Sequence, residues 1–449
     1  MEPQSRLFDL TLSPLTLEAG AELPRHEVRG WWWGPGQDLG WLESRARLLS
    51  EQESAAAGTV VQRGDHTAPP PAPSTPGPVP DVDVPTVLVV HALTGDMRAG
   101  GPGGWWAPLI GPGRALDPRR HRVLCFNNLG SCYGTTGPAD VDFPARSQDT
   151  RFPPTQVTGQ GAFRLDESLL PATLTTWDQA RSLLLALDAL GIRQVRLVTG
   201  GSIGAMIVLC LAALDPERFE CVMPIAGAEA ASPWILGWSH VGRQAILADP
   251  GFPERIGRGL ELARQIAHLT YRAEPGLMLR QGRAQAPDGC SERAGWTSRA
   301  PYRAQTYLEH HGRKLRARFD GRAYLAQMDA MDHHDLARPP APPAPAETWP
   351  AELEGGPRAC GAVPAGGGLA TPKDPADSWG LRRIRASVLA LSIDTDQLFF
   401  PAHMAQLCQR LSALGVPARH VQLHSPHGHD SFLIEWDQVA AALETAVDR

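Results

Sequence analysis

Residues 195–214 read VRLVTGGSIGAMIVLCLAAL. The opening VRLVT is a short apolar run of strand character, and the stretch from Ile203 onward is apolar on every face, as a helix covered on all sides is. Between them stands Gly200-Gly201-Ser202-Ile203-Gly204, a G-x-S-x-G element in a strand–turn–helix setting. A serine in so sharp a turn needs small neighbours that let two backbones approach, and Gly200 and Gly204 supply them. A helix starting at Ile203 aims its first amides at any oxyanion formed on Ser202. The plain alternative is a glycine turn without chemistry. The flanking strand and helix make Ser202 the candidate nucleophile.

The same rhythm extends to both sides. Thr86 to His91, Arg122 to Phe126, Cys221 to Ile225, Ser387 to Ile393 and Val421 to Leu423 read as buried strands. Trp177 to Leu190, Pro401 to Leu414 and Gln438 to Val447 carry apolar residues at helical spacing. Continuous apolar strands separated by helices predict an α/β fold with a mainly parallel central sheet. The rhythm stops after Ile225, roughly residues 230–375 read as helices and loops, and strand signals resume at Ser387. This divides the chain into a first core part (1–228), an inserted helical lid (229–378) and a second core part (379–449).

Composition narrows the field. The chain has 449 residues, 43% of them hydrophobic and 20% charged, as in an ordinary globular protein. Its 45 glycines and 42 prolines exceed the usual combined share of roughly 12%. Much of the excess sits in two tracts, about 67–84 and 339–372, which read as Pro-rich surface insertions that can supply no packed face. The net charge of −6 leaves no basic field to hold nucleic acid. No apolar run approaches a bilayer span, and the N-terminus lacks a signal-peptide pattern. Seven scattered cysteines without CxxC pairs point to reduced thiols and a cytoplasmic setting.

A serine hydroxyl needs a base, and the base needs an orienting carboxylate. On this kind of fold the chain order is serine, acid, histidine. The strand SVLALSI runs into Asp394-Thr395-Asp396-Gln397-Leu398-Phe399, and the last strand leads into His424-Ser425-Pro426-His427-Gly428-His429-Asp430. Both are C-terminal strand ends, where such folds carry their chemistry. Two carboxylates and three histidines compete for two roles, and spacing alone leaves the choice open. Asp332, His333, His334 and Asp335 form a further cluster, as do His310 and His311. Adjacent histidines on a helix diverge by about 100°, so both clusters read as solvated or interface patches, and no metal is expected. Trp31-Trp32-Trp33 reads as a buried β-hairpin anchor, and Trp105 and Trp106 as packing residues.

HALTGD at 91–96, NNLGSCYGTTGP at 127–138, GGSIGAM at 200–206, LTYR at 269–272, DTDQLFFP at 394–401 and GHDSFLIE at 428–435 occur in an order that resembles the homoserine O-acetyltransferases, a branch of the α/β-hydrolase superfamily. The resemblance covers most of the chain outside the two inserts. It implies an α/β-hydrolase fold with a helical lid. It selects Asp396 from the D-x-L-F element and His429 from G-H-D-x-F. It implies that the backbone amides of Leu93 and Ile203 form the oxyanion hole, and that Arg272 and Asp430 bind the acceptor amino acid. The implied activity is transfer of acetyl from acetyl-CoA to L-homoserine through an acyl-serine, in methionine biosynthesis, with no bound cofactor and a homodimer through the lid. GGSIGA stands where the family commonly has GGSMGG. Ile203 still offers its amide, but the larger side chains are expected to narrow the pocket. Rival readings are transfer of succinyl or to serine, a serine esterase that lacks the amino-acid clamp, and a catalytically silent relative that only binds.

Overall fold

The computed structural model describes residues 2–56, 84–152, 166–287, 301–341 and 374–448. The expected inserts at 67–84 and 339–372 lie almost wholly outside these residues. One nine-stranded sheet organises the chain. In chain order its strands are β1 (Gln4–Leu12), β2 (His26–Gly34), β3 (Arg47–Leu48), β4 (Thr86–Val90) and β5 (Arg122–Phe126), followed by β6 (Val195–Gly201), β7 (Phe219–Ile225), β8 (Ser387–Ile393) and β9 (Ala418–Leu423). The spatial order is β9-β8-β7-β6-β4-β5-β2-β1-β3. From β9 through β5 every pairing is parallel, as the apolar runs predicted. All five residues of β4 and of β5 are buried, the signature of strands covered on both faces.

The edge beyond β5 carries the tryptophans expected as a buried β-hairpin anchor. Trp31, Trp32 and Trp33 lie on β2, a nine-residue strand antiparallel both to β1 and to β5. Its pairing register sets Trp32 opposite Leu124 and Arg6. The tryptophans therefore join an antiparallel ribbon to the parallel core.

Helices cover both faces. α1 (Thr176–Ala189) opens with a capping box in which Thr175 and Asp178 satisfy each other's backbone amides. α2 (Ile203–Leu214) is buried from Ile203 to Ala213 and sits against β6 and β7. The helical segment between β7 and β8, expected as a lid, comprises α3 (Pro233–Leu247), α4 (Arg258–Tyr271), α5 (Glu274–Arg280), α6 (Arg303–Arg316) and α7 (Gly321–Asp332). The core then resumes with α8 (Trp379–Arg383), which packs on α2, then α9 (Pro401–Ala413) and α10 (Trp436–Val447).

The Asp332–Asp335 cluster, expected as a solvated or interface patch, is exposed at His333 and buried at His334. His334 is 1% exposed; its Nδ1 bonds Thr176 Oγ1 at 2.8 Å and its Nε2 the Ala228 carbonyl at 3.0 Å. Asp332 pairs with Arg243 at 2.7 Å. The cluster is a buried joint where the lid's last helix returns to the core, because its two histidines diverge and only one faces inward. A second joint lies nearby. Glu18 is fully buried and accepts a forked pair from Arg338 (2.8 and 3.0 Å) together with the Ala341 amide (2.7 Å).

Candidate active site

The sheet order reverses between β4 and β6, so the loops leaving these strands diverge and open a crevice at their carboxyl ends. Ser202 sits there with φ 62 and ψ −127, a left-handed conformation that costs a non-glycine residue about 1–3 kcal/mol. The glycines permit it. A Cβ on Gly204 would stand 2.6 Å from the Val90 carbonyl oxygen, and one on Gly200 would stand 2.8 Å from the same oxygen and from the Gly204 backbone. The turn that exposes the serine can form only because β4 and α2 approach through bare backbone.

The structure separates the competing acids and bases. Asp396 is buried; its Oδ1 accepts the Leu398 and Phe399 amides (2.8 and 2.9 Å), and its Oδ2 meets His429 Nδ1 at 2.6 Å. Asp394 instead holds the base-bearing loop, accepting the Ser425 amide at 3.0 Å and pairing with exposed His424 at 3.0 Å. His427 donates its amide to Ser425 Oγ, and its ring lies against Gly276 of α5.

His429 lies between aromatic rings. Phe399 stacks on it at 5.2 Å, Phe432 meets it edge-on at 5.8 Å, and Tyr271 lies 5.8 Å away. Burial alone pulls its pKa down, but the charge and hydrogen bond of Asp396, aided by Asp430, outweigh this and raise it above the ordinary 6.5. Its Nε2 is buried without a hydrogen-bond partner. With Asp396 fixing Nδ1, that nitrogen is the one open to exchange a proton.

The loop after β4 is drawn tight. His91 Nε2 accepts the Asn128 amide (2.9 Å), so the proton resides on Nδ1, which donates to the Ala92 carbonyl (2.8 Å). Burial lowers the pKa of His91 and keeps it neutral. The Ala92 oxygen also accepts the Gly95 amide at 2.8 Å. In a trans peptide the C=O and N–H point oppositely, so these bonds orient the Leu93 amide. The Ile203 amide, at the first turn of α2, is among those with no intrahelical acceptor.

The lid contributes Arg272, at the end of α4, whose Nη2 lies 3.2 Å from Asp430 while its Nε and Nη1 are buried without partners. Gly428 makes this meeting possible. Its φ is +75, and a Cβ there would stand 2.6 Å from the Ala273 amide nitrogen. Two further lid arginines, which the sequence reading passed over, reach the same crevice. Arg264 lies over the Tyr271 ring at 5.2 Å and touches Thr94 Oγ1 at 3.4 Å, while Arg318 reaches the Thr94 carbonyl. The available signal was the i, i+4, i+8 spacing of Arg264, His268 and Arg272 on one helix face. A small apolar cavity of about 30 Å³ lies beside this crevice, lined by Leu93, Tyr271, Tyr324, Met328 and Leu398 among others. Among the described residues no group of three potential metal ligands converges, and no helix is long and apolar enough to cross a membrane.

The mainly parallel sheet, the strand–turn–helix at Ser202 and the buried Asp396–His429 pair beyond β8 and β9 are those of an α/β-hydrolase-fold protein. The α/β-hydrolase fold family matches residues 85–435. A homoserine O-acetyltransferase of Moorella thermoacetica is 33% identical over 372 residues, covering 80% of this chain and 84% of that protein. One of Caulobacter vibrioides is 34% identical over 374 residues, covering 80% and 83%. The chain belongs to the homoserine O-acetyltransferase family of α/β-hydrolase-fold proteins. In fold it is similar to the homoserine O-acetyltransferase of Bacillus anthracis, with TM-score 0.67 and 16% identity over 100% of this chain and 98% of that one.

Proposed function

We propose that this chain transfers acetyl from acetyl-CoA to the γ-hydroxyl of L-homoserine by a two-step, ping-pong reaction at Ser202. Ser202 Oγ attacks the thioester carbonyl as its proton passes to His429 Nε2, and Asp396 holds the resulting imidazolium. The Leu93 and Ile203 amides receive the oxyanion. The C–S bond breaks, CoA leaves with the proton from His429, and acetyl-serine remains. The homoserine hydroxyl then gives its proton to His429 and attacks the acetyl carbonyl. Collapse releases O-acetylhomoserine and returns the proton to Ser202.

The observation that carries this reading, and favours a transferase over a hydrolase, is the Arg272–Asp430 pair beside the base. Its free Nε and Nη1 suit the acceptor carboxylate, and Asp430 suits the ammonium group. The small cavity beside Leu93, about 30 Å³, suits a short acyl group better than a longer one. Membership of the family supports a place in methionine biosynthesis in the cytoplasm. The exposed apolar residues Trp234, Val241, Leu262, Leu269, Met278 and Leu279 on α3, α4 and α5 support a homodimer through the lid.

The test supplies acetyl-CoA or succinyl-CoA with homoserine or serine and follows free thiol. Release that depends on homoserine and acetyl-CoA is expected. Release indifferent to the acceptor means hydrolysis and removes the transferase reading, and no release in any combination removes it as well. Ser202→Ala is expected to lose the activity by roughly 10³-fold or more.

A further inference from the structure

We propose that Arg318, in the lid between α6 and α7, is a positioning residue that fixes the oxyanion loop of the core. The proposal rests on the reading of Leu93 as an oxyanion donor. The loop from His91 to Gly95 is held at its start by core groups alone, through the His91 ring and the turn bond between Ala92 and Gly95. Its far side is held by the lid. Arg318 Nη1 donates to the Thr94 carbonyl at 2.8 Å and to Tyr133 Oη at 2.6 Å.

Arg318 is itself anchored. Tyr133 is fully buried, and the ring of Phe319, the next residue, meets it edge-on at 5.7 Å. A second lid arginine, Arg264, reaches the Thr94 side chain rather than its backbone. Thr94 is only 8% exposed, so a carbonyl left without the guanidinium would be nearly dry and would seek another donor by rotating its peptide. The Thr94 carbonyl shares its peptide with the Gly95 amide, so that rotation pulls the amide off the Ala92 carbonyl, whose own peptide carries the Leu93 N–H. The lid thus assembles the oxyanion hole as well as covering the crevice.

Removing one oxyanion donor typically costs about 10²–10³ in rate, and a misplacement of about 1 Å can cost about 10². Arg318→Met is therefore expected to slow acylation of Ser202 by about 10–100-fold. The slowing is expected with p-nitrophenyl acetate as well as acetyl-CoA, since it does not depend on the acceptor. Arg318→Lys, which keeps one donor, restores part of the rate, and Tyr133→Phe, which loosens the anchor, gives a smaller loss. The readouts are the acylation burst, the KM for homoserine and the melting temperature of each variant.

A loss of burst rate with homoserine KM unchanged supports the proposal. A normal burst with a raised homoserine KM makes Arg318 an acceptor-binding group and overturns it. A loss that follows the melting temperature across the variants, with no rescue by lysine, reduces Arg318 to a structural residue and overturns it equally. Ser202→Ala, inert toward p-nitrophenyl acetate, shows separately whether the acyl-serine reading stands. Failure of that variant to lose the burst sinks the reading, whatever Arg318 does.

Discussion

Two aspartate–histidine pairs stand at the same end of the sheet, their aspartates two residues apart, and they do unlike work. Asp394–His424 lies 3.0 Å apart with the histidine side chain 74% exposed; Asp396–His429 lies 2.6 Å apart with both side chains essentially sealed. The outer pair, with the Ser425 amide on Asp394, holds the loop that delivers the inner pair. Residue type and spacing are nearly the same in both. What separates them is the aromatic wall around His429 and the two backbone amides that lock Asp396.

The sharpest way to break this comparison is to neutralise each acid. Asp396→Asn is expected to lower kcat by roughly 10⁴, as removal of the orienting acid does in serine triads. Asp394→Asn is expected to lower it by less than about tenfold, acting only through loop placement. Equal effects in a thiol-release assay would abolish the distinction.

Next in size comes a stability contrast between two buried histidines. His334 bonds Thr176 and the Ala228 carbonyl, and burial, aided by Arg338, holds its pKa at about 3 despite that carbonyl. Its stabilising contribution is present above the unfolded value near 6.5 and is lost as pH falls from there toward 3. His429, raised above 6.5, contributes most below 6.5 and loses that contribution as pH rises through its folded pKa. His334→Gln is expected to cost about 1–3 kcal/mol and to flatten the acid side of a stability–pH profile. His429→Gln is expected to flatten the other side. Urea melts across pH 3–9 would expose either sign as wrong.

A smaller effect is expected at Asp430. Its charge helps raise the His429 pKa, so Asp430→Asn moves the acid limb of the p-nitrophenyl acetate burst to lower pH. A limb that stays in place or moves upward removes Asp430 from the electrostatics of the base. The smallest effect belongs to the outer pair's histidine. His424→Ala is expected to cost no more than about 1 kcal/mol, less at high salt, read from melting temperature.

How far these distinctions were legible depends on what each residue is buried against. The parallel strands were readable because VLVV in β4 and SVLALSI in β8 must be covered on both faces. The ribbon of β1 and β2 was read only as a tryptophan anchor, since QSRLFDLTL alternates and says nothing about its partner. The turn at Ser202 was readable because glycine at 200 and 204 has a steric reason confined to a few residues. Arg264, on a polar helix, and Arg318, in the turn after one, look the same in sequence whether they meet water or Thr94. His334 is hard to tell from His333 for a related reason: one position past the end of a helix separates an inward ring from an outward one.

The buried fork of Glu18 with Arg338 also has a consequence for biosynthesis. The two residues are 320 positions apart. At roughly 5–20 residues per second, Glu18 waits tens of seconds on the ribosome before its partner is even made. During that interval its carboxylate lacks the Arg338 fork and the Ala341 amide, and the turn around Glu18 is without its final seal. The part of the chain synthesised first is thereby among the last to be sealed. Nascent chains halted short of residue 341 should leave that segment open to proteases, while chains extended beyond it should protect it.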